Sequence, residues 1–141
     1  QKLMAAVSLL CALVGLRPAC ADSPSDEDLV ASRQAFRQLS VLLVNRFPRV
    51  RRHASEQMYS RLLCVAPEDL GVEEDALDEA IDLLGDTRWD GDVTSVRATR
   101  DDVCRKVKVE PPTRKARGEG APKKEAKAEH EYAALVNEAG Y

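Results

Sequence analysis

Apolar side chains recur along the first two thirds of the chain at intervals of three and four residues, the period of helices that turn one face to a core. Leu3, Val7, Leu10, Cys11 and Val14 form the first such stripe and predict a helix over residues 2–16, stopped by Gly15, Arg17 and Pro18. The stretch "RPACADSPS" that follows is rich in turn formers and reads as a loop. A second helix is expected from Asp26 to about Arg46, opened by Ser25 and Asp28 in capping-box spacing, with Phe36, Leu39, Leu42 and Leu43 inward. Pro48 bounds it, because a proline pushes the preceding Phe47 out of the α region, and the same proline suits the first turn of a third helix. Along that third helix Val50, Ala54, Met58, Leu62 and Val65 recur at four, four, four and three residues, so one face is apolar.

"APEDLGVEED" interrupts the period, and a fourth helix is expected over 74–84 with Leu77, Ile81 and Leu84 inward. Its acid-rich first turn suits the positive end of the helix dipole. Thr87 and Asp90 again stand in capping-box spacing, so a fifth helix is expected to open there, lined by Trp89, Val93, Val96, Val103 and Val107. Arg100 sits in that stripe where an apolar residue is due and is expected to snorkel from a helix edge. From Glu110 the pattern is lost. Pro111-Pro112 leads into a mixture of Lys, Glu, Gly and Ala with six acids and six bases and too few apolar groups to pack. Residues 1–109 therefore read as a helical unit and 110–141 as a disordered charged tail, with at most a transient helix near Lys123 to Glu138.

The apolar run after Met4 admits a second reading, because Ala19-Cys20-Ala21 fits the small-x-small pattern of a secretory cleavage site. Against it, no Lys or Arg lies between Met4 and the run, and about twelve apolar residues fall short of the ~20 that span a bilayer. The helices that follow need a neighbour on their N-terminal side, so the stretch reads as a packed helix and residues 19–21 as part of a loop. A chain opening at Gln1 points to a piece of something longer, in which case the outer face of this helix would be apolar and the piece marginal or self-associating.

Aromatic residues make up 4% and charged residues 32% of the chain, which suits helices packed through aliphatic side chains and suits a β-sandwich poorly; an all-α fold is expected. The net charge of -3 conceals a polar layout: Asn45 to Arg61 carries five arginines and one acid, Pro67 to Asp92 eleven acids and one arginine. These read as solvated faces of adjacent helices, and give no reason to expect nucleic acid as a partner. The four cysteines, Cys11, Cys20, Cys64 and Cys104, form neither a zinc pattern nor a disulfide framework; Cys11, Cys64 and Cys104 sit in apolar helical patterns and are expected to be buried.

No catalytic constellation can be assembled. Of the two histidines, His53 lies in an arginine run and His130 in the tail, and there is neither a Gly-x-Ser-x-Gly turn nor a phosphate-cradling glycine loop. Asp78, Glu79, Asp82 and Asp86 stand at helical spacing without histidine or loop ligands and read as a solvated face rather than a metal site. No catalytic residue, cofactor or metal is expected, and the chain should act by surface binding rather than bond-making.

"FPRVRRHASEQMYSRLL" resembles the second helix of a HEAT repeat, which often opens Pro-x-Val-Arg-x-x-Ala; here those residues are Pro48, Val50, Arg51 and Ala54. The proline starts the helix, Val and Ala permit close approach to the preceding helix, and Arg can bridge to a neighbouring repeat; such helix pairs cannot bury their faces alone and belong to arrays. The match widens to the Arg46-Phe47-Pro48 corner, Val50-Arg51, Gln57-x-Tyr59, Leu77-Asp78-Glu79, Asp86-Thr87 with Trp89-Asp90, Val96-Arg97, and an Arg-x-x-x-Cys ending at Cys104. Together these resemble the C-terminal end of the tubulin-specific chaperone D (tubulin-folding cofactor D) family over residues 27–110. The Ala19 to Ser25 loop and the tail after Pro112 have no counterpart.

The resemblance implies a HEAT/armadillo-like α-solenoid fragment that binds β-tubulin and supports assembly of the αβ-tubulin heterodimer. It further implies stimulation of tubulin GTP hydrolysis together with other tubulin-folding cofactors, association with a small Arf-like GTPase, and a cytoplasmic location at microtubules or the centrosome, with neither nucleic acid nor membrane as a partner. The partner-binding candidates are Arg49, Arg51, Arg52 and Trp89, although Arg51 and Trp89 stand where helix packing would also use them. A generic HEAT-type scaffold for another protein partner is the alternative.

Overall fold

The computed structural model describes residues 2–113, and among them the chain forms six helices and no strand: α1 (Lys2–Leu13), α2 (Asp26–Leu42), α3 (Pro48–Leu62), α4 (Pro67–Leu70), α5 (Glu74–Asp86) and α6 (Val93–Lys106). The expected all-α class is thus observed. The tail expected over 110–141 lies outside the described residues from position 114 on, and the expected transient helix near Lys123 to Glu138 lies wholly outside them.

Local signals account for most helix ends. Ser25 caps α2 by accepting from Asp28 N–H while Asp28 Oδ2 accepts from Ser25 N–H at 3.0 Å, the reciprocal box read from the spacing. Pro48 opens α3, as expected, where its missing N–H has no partner to lose. α1 stops at Leu13, and Gly15 turns the chain at φ 65, a left-handed conformation that favours glycine. Its N–H donates to Ser32 Oγ of α2 at 2.8 Å, while Arg61 Nε of α3 donates to Val14 O at 2.8 Å. Two side chains from two different helices thus hold the end of α1.

The expected stripes largely point inward. Val50, Ala54, Met58, Leu62 and Val65 are all buried, as are Val7, Cys11 and Val14 of the first stripe and Phe36, Leu39 and Leu43 of the second, while Leu10, Leu42 and Ile81 pack against this core from partly buried positions. Truncating one of the fully buried members, such as Leu62, to alanine would cost about 2–5 kcal/mol.

Several expectations need correction. α2 ends at Leu42 rather than Arg46, because residues 43–47 turn the corner into α3, with Asn45 Oδ1 accepting from Phe47 N–H. α4, within "APEDLGVEED", is one helical turn, too short to show a period. The opening of α6 is not the Thr87–Asp90 box: Asp92 is the cap, accepting from the N–H groups of Thr94 and Ser95, and Thr87 instead donates its hydroxyl to Leu83 O at the end of α5. Leu3 and Val93 are exposed rather than inward. Cys64 lies in the turn after α3 and is also exposed, as is Cys20. Arg100 does not snorkel from an edge: it is buried beside Asp101, where Val41 of α2, Val44 of the turn after it and the returning Pro111 and Pro112 line the same cleft.

Helix packing follows a closed order. α2 packs on α3, α3 on α5, α5 on α6, and α6 returns to α2, while α1 lies against α2 and α3 together. Two stacked HEAT pairs would set α2 against α5 and α3 against α6, and neither is among the well-packed pairs. Beyond α1's buried side, Leu9, Leu13 and Leu16 face outward as a second apolar stripe.

Candidate functional site

The site is built where the start of α3 meets the connection between α5 and α6. Arg51, one turn into α3, is 2% exposed, and its guanidinium points at that connection. Nε donates to Trp89 O at 2.7 Å, Nη2 to Gly91 O at 3.0 Å and Nη1 to Asn45 O at 2.8 Å. One planar fork therefore ties three segments together, a geometry that lysine, a point charge on a flexible stem, cannot reproduce. Trp89, 4% exposed, fills the space beneath and donates its indole N–H to Leu84 O at 2.9 Å. The two side chains that sequence reasoning placed between packing and binding are turned inward, and neither presents its polar atoms to a partner.

Arg49 and Arg52 lie on the outer face of the same helix and are exposed. Arg52 pairs through Nη2 with Asp90 Oδ2, and Arg88 Nε pairs with the other oxygen of the same carboxylate at 3.2 Å. The hydrogen bond from Arg52, then that from Arg88, holds the Asp90 carboxyl below its ordinary value. Both guanidinium groups remain open to solvent, with side-chain exposures of 61% and 87%. Arg46 stacks over the Phe47 ring at 4.5 Å, and neither Arg46 nor Arg49 makes an ion pair among the described residues. No acid stands in the first turn of α3 to offset them.

Between α3 and the end of α5 runs an open groove of about 560 Å³, lined by Arg52, Glu56, Tyr59, Gly85, Arg88 and Asp90 among others. A side chain at Gly85 would meet the Tyr59 ring at 3.2 Å, so glycine there gives the tyrosine its room. Arg88 and Tyr59 were not among the sequence candidates for this surface. The available signal for Arg88 was its place as the lone base among the acids of residues 67–92; that it shares Asp90 with Arg52 depends on tertiary packing.

Elsewhere the chemistry is sparse. Burial raises the Cys11 thiol from 9.0 to about 11 and raises that of Cys104 as well, so both are held as neutral thiols. Among the described residues no group of three or more His, Cys, Asp or Glu is placed to hold a metal ion, and no helix is long and apolar enough to cross a membrane. What the arrangement offers is an open groove beside the Arg51 corner, with the exposed side chains of Arg52 and Arg88 and the carboxylates of Glu56 and Asp90 among its lining. No family model matches the chain, and no solved structure matches it.

Proposed function

We propose that the chain is a C-terminal segment of a tubulin-folding chaperone of the cofactor D type. In this reading it contacts β-tubulin through the arginine face of α3 and supports assembly of the αβ heterodimer alongside the other cofactors and a small Arf-like GTPase. Stimulation of GTP hydrolysis would follow from how tubulin is held, and the segment itself would break no bond. The observation that supports the reading is the meeting of the two sequence blocks that carry the resemblance. Arg-Phe-Pro-x-Val-Arg at 46–51 and Asp-Thr-x-Trp-Asp at 86–90 are joined by the Arg51 bond to Trp89 O, and the contact is extended by the adjoining residues through the Arg51 bond to Gly91 O and the Arg52 pair with Asp90. An arginine that reaches from one helix pair to the next is also the role a HEAT-type array would give it. Affinity isolation of the tagged protein from a cell extract, under mild conditions, should retain β-tubulin; its complete absence would overturn the proposal.

A second reading, a helical scaffold for a different protein partner, is favoured by the closed order of contacts among α2, α3, α5 and α6, which lets these helices cover one another without further repeats. Retention of an unrelated partner through Arg49 and Arg52, with tubulin retention unaffected by changing them, would select it.

A further inference from the structure

We propose that the groove between α3 and the α5–α6 connection receives a short extended acidic segment of a protein partner, one carboxylate of which joins or displaces Asp90 between Arg52 and Arg88. The inference rests on reading this corner as a partner surface and adds the chemistry of what it takes. Its geometric basis is the existing pair: Asp90 already holds one guanidinium on each oxygen, so the two arginines stand at the spacing a carboxylate needs. Each contributes a single donor to that pair, and each guanidinium has five, so most of their donors are left for a second anion. With side-chain exposures of 61% and 87%, neither arginine must be uncovered first. Arg49, exposed on the same helix face, continues the positive surface along α3.

Several features select a peptide over a nucleic-acid backbone. Glu56 and Asp90 stand on the walls of the groove and would repel a continuous run of phosphates, whereas a peptide can place neutral residues opposite them. Stacking of successive bases would need a row of open aromatic faces, but Trp89 is buried and committed to Leu84 O, which leaves Tyr59 as the single exposed ring lining the groove. Tyr59, about a third exposed at the edge of the groove, offers a surface for one apolar side chain next to the acids. Arginine in place of lysine suits planar, two-point capture of carboxylates.

The test is a fluorescence-anisotropy titration of the 141-residue chain with a labelled glutamate-rich peptide of about eight residues, some 25 Å when extended. The same peptide with glutamine at every glutamate, and a single-stranded oligonucleotide, serve as comparisons. The glutamate peptide should bind and the glutamine peptide should not, with affinity falling as salt rises. Arg52→Ala with Arg88→Ala should weaken binding at least tenfold, and Asp90→Asn, which removes the resident carboxylate, should tighten it several-fold. All three side chains lie at the surface, so circular dichroism and Trp89 emission should match the unaltered chain. Equal binding of the two peptides, binding indifferent to the arginine pair, no gain from Asp90→Asn, or preference for the oligonucleotide would each overturn the inference. Capture of β-tubulin without peptide binding would remove this inference alone, whereas peptide binding without tubulin capture would remove the chaperone reading and leave the groove chemistry standing.

Discussion

Replacing Arg51 with alanine should destabilise the fold far more than any other arginine substitution on α3. The side chain is buried and makes three hydrogen bonds to carbonyl oxygens, those of Asn45, Trp89 and Gly91, at 2.7 to 3.0 Å. Hydrogen bonds to a charged group contribute about 1.5–3 kcal/mol each, and relief of the buried charge offsets part of the loss, so a net cost of about 3–5 kcal/mol is expected. At roughly 4 °C per kcal/mol for a unit of this size, the midpoint of thermal unfolding should fall by about 12–20 °C. Arg51→Met keeps the packing of the stem but leaves the carbonyls unpaired and should lose nearly as much; Arg51→Lys can satisfy only some of them and should fall between. Arg52→Ala, which removes an exposed ion pair, should stay within about 1 kcal/mol of the starting protein. Urea unfolding followed by the single tryptophan, Trp89, reports on this corner directly, and its emission should shift to the red in Arg51→Ala. A loss below about 1 kcal/mol for Arg51→Ala, or a loss equal to that of Arg52→Ala, would refute the clamp.

Three further outcomes are expected. Gly15→Ala should cost about 2–4 kcal/mol, because the turn needs a positive φ and the new methyl would run into the Val65 side chain; Val65→Ala in the same chain should recover part of the loss, as read by urea midpoints. Ser25→Ala should cost about 1 kcal/mol by opening the cap of α2; the backbone N–H of Ser25 first, and its hydroxyl second, lower the Asp28 pKa, so the stability this brings is present above the ordinary value of 3.8 and is lost as pH falls below it, a slope the variant should reduce but not abolish because alanine keeps the backbone N–H. Cys20 and Cys64 should react with a thiol reagent in the folded chain, while Cys11 and Cys104 should react only after unfolding. Because unfolded Cys11 ionises near 9.0 and the folded thiol near 11, stability should be complete below pH 9 and decline between the two values, and Cys11→Ala should flatten that decline.

The parts legible in the sequence were those governed by neighbours a few residues apart. The Ser25–Asp28 box, Pro48 at the head of α3 and the stripe from Val50 to Leu62 depend on spacing along one helix, and the structure places each as expected. Spacing misled at Thr87 and Asp90, where burying Trp89 requires the chain to turn before α6 begins and passes the capping role to Asp92. It misled again at Cys64, where the period was extended past the end of α3 into a turn, and at Arg100, which is buried beside Asp101 in a cleft that Pro111 and Pro112 also line. The candidate site was half legible. Arg49 and Arg52 are exposed and Arg51 and Trp89 are structural, a sorting that depends on contacts 38 and 40 residues apart in the chain. The pairing of Arg88 with Arg52 across Asp90 depends on the same long-range packing and has no local signature.

Affinity for purified tubulin heterodimer, measured with the chain and with its Arg49→Glu, Arg52→Glu variant, tests the proposed role most directly. Arg51 is excluded from such a variant because reversing a buried charge would unfold the corner and mimic a loss of contact. The unaltered chain should bind, and the double reversal should weaken binding at least tenfold with the fold intact by circular dichroism and Trp89 emission. No complex with the unaltered chain, or equal affinity for the two, would contradict a tubulin-binding role for the arginine face of α3.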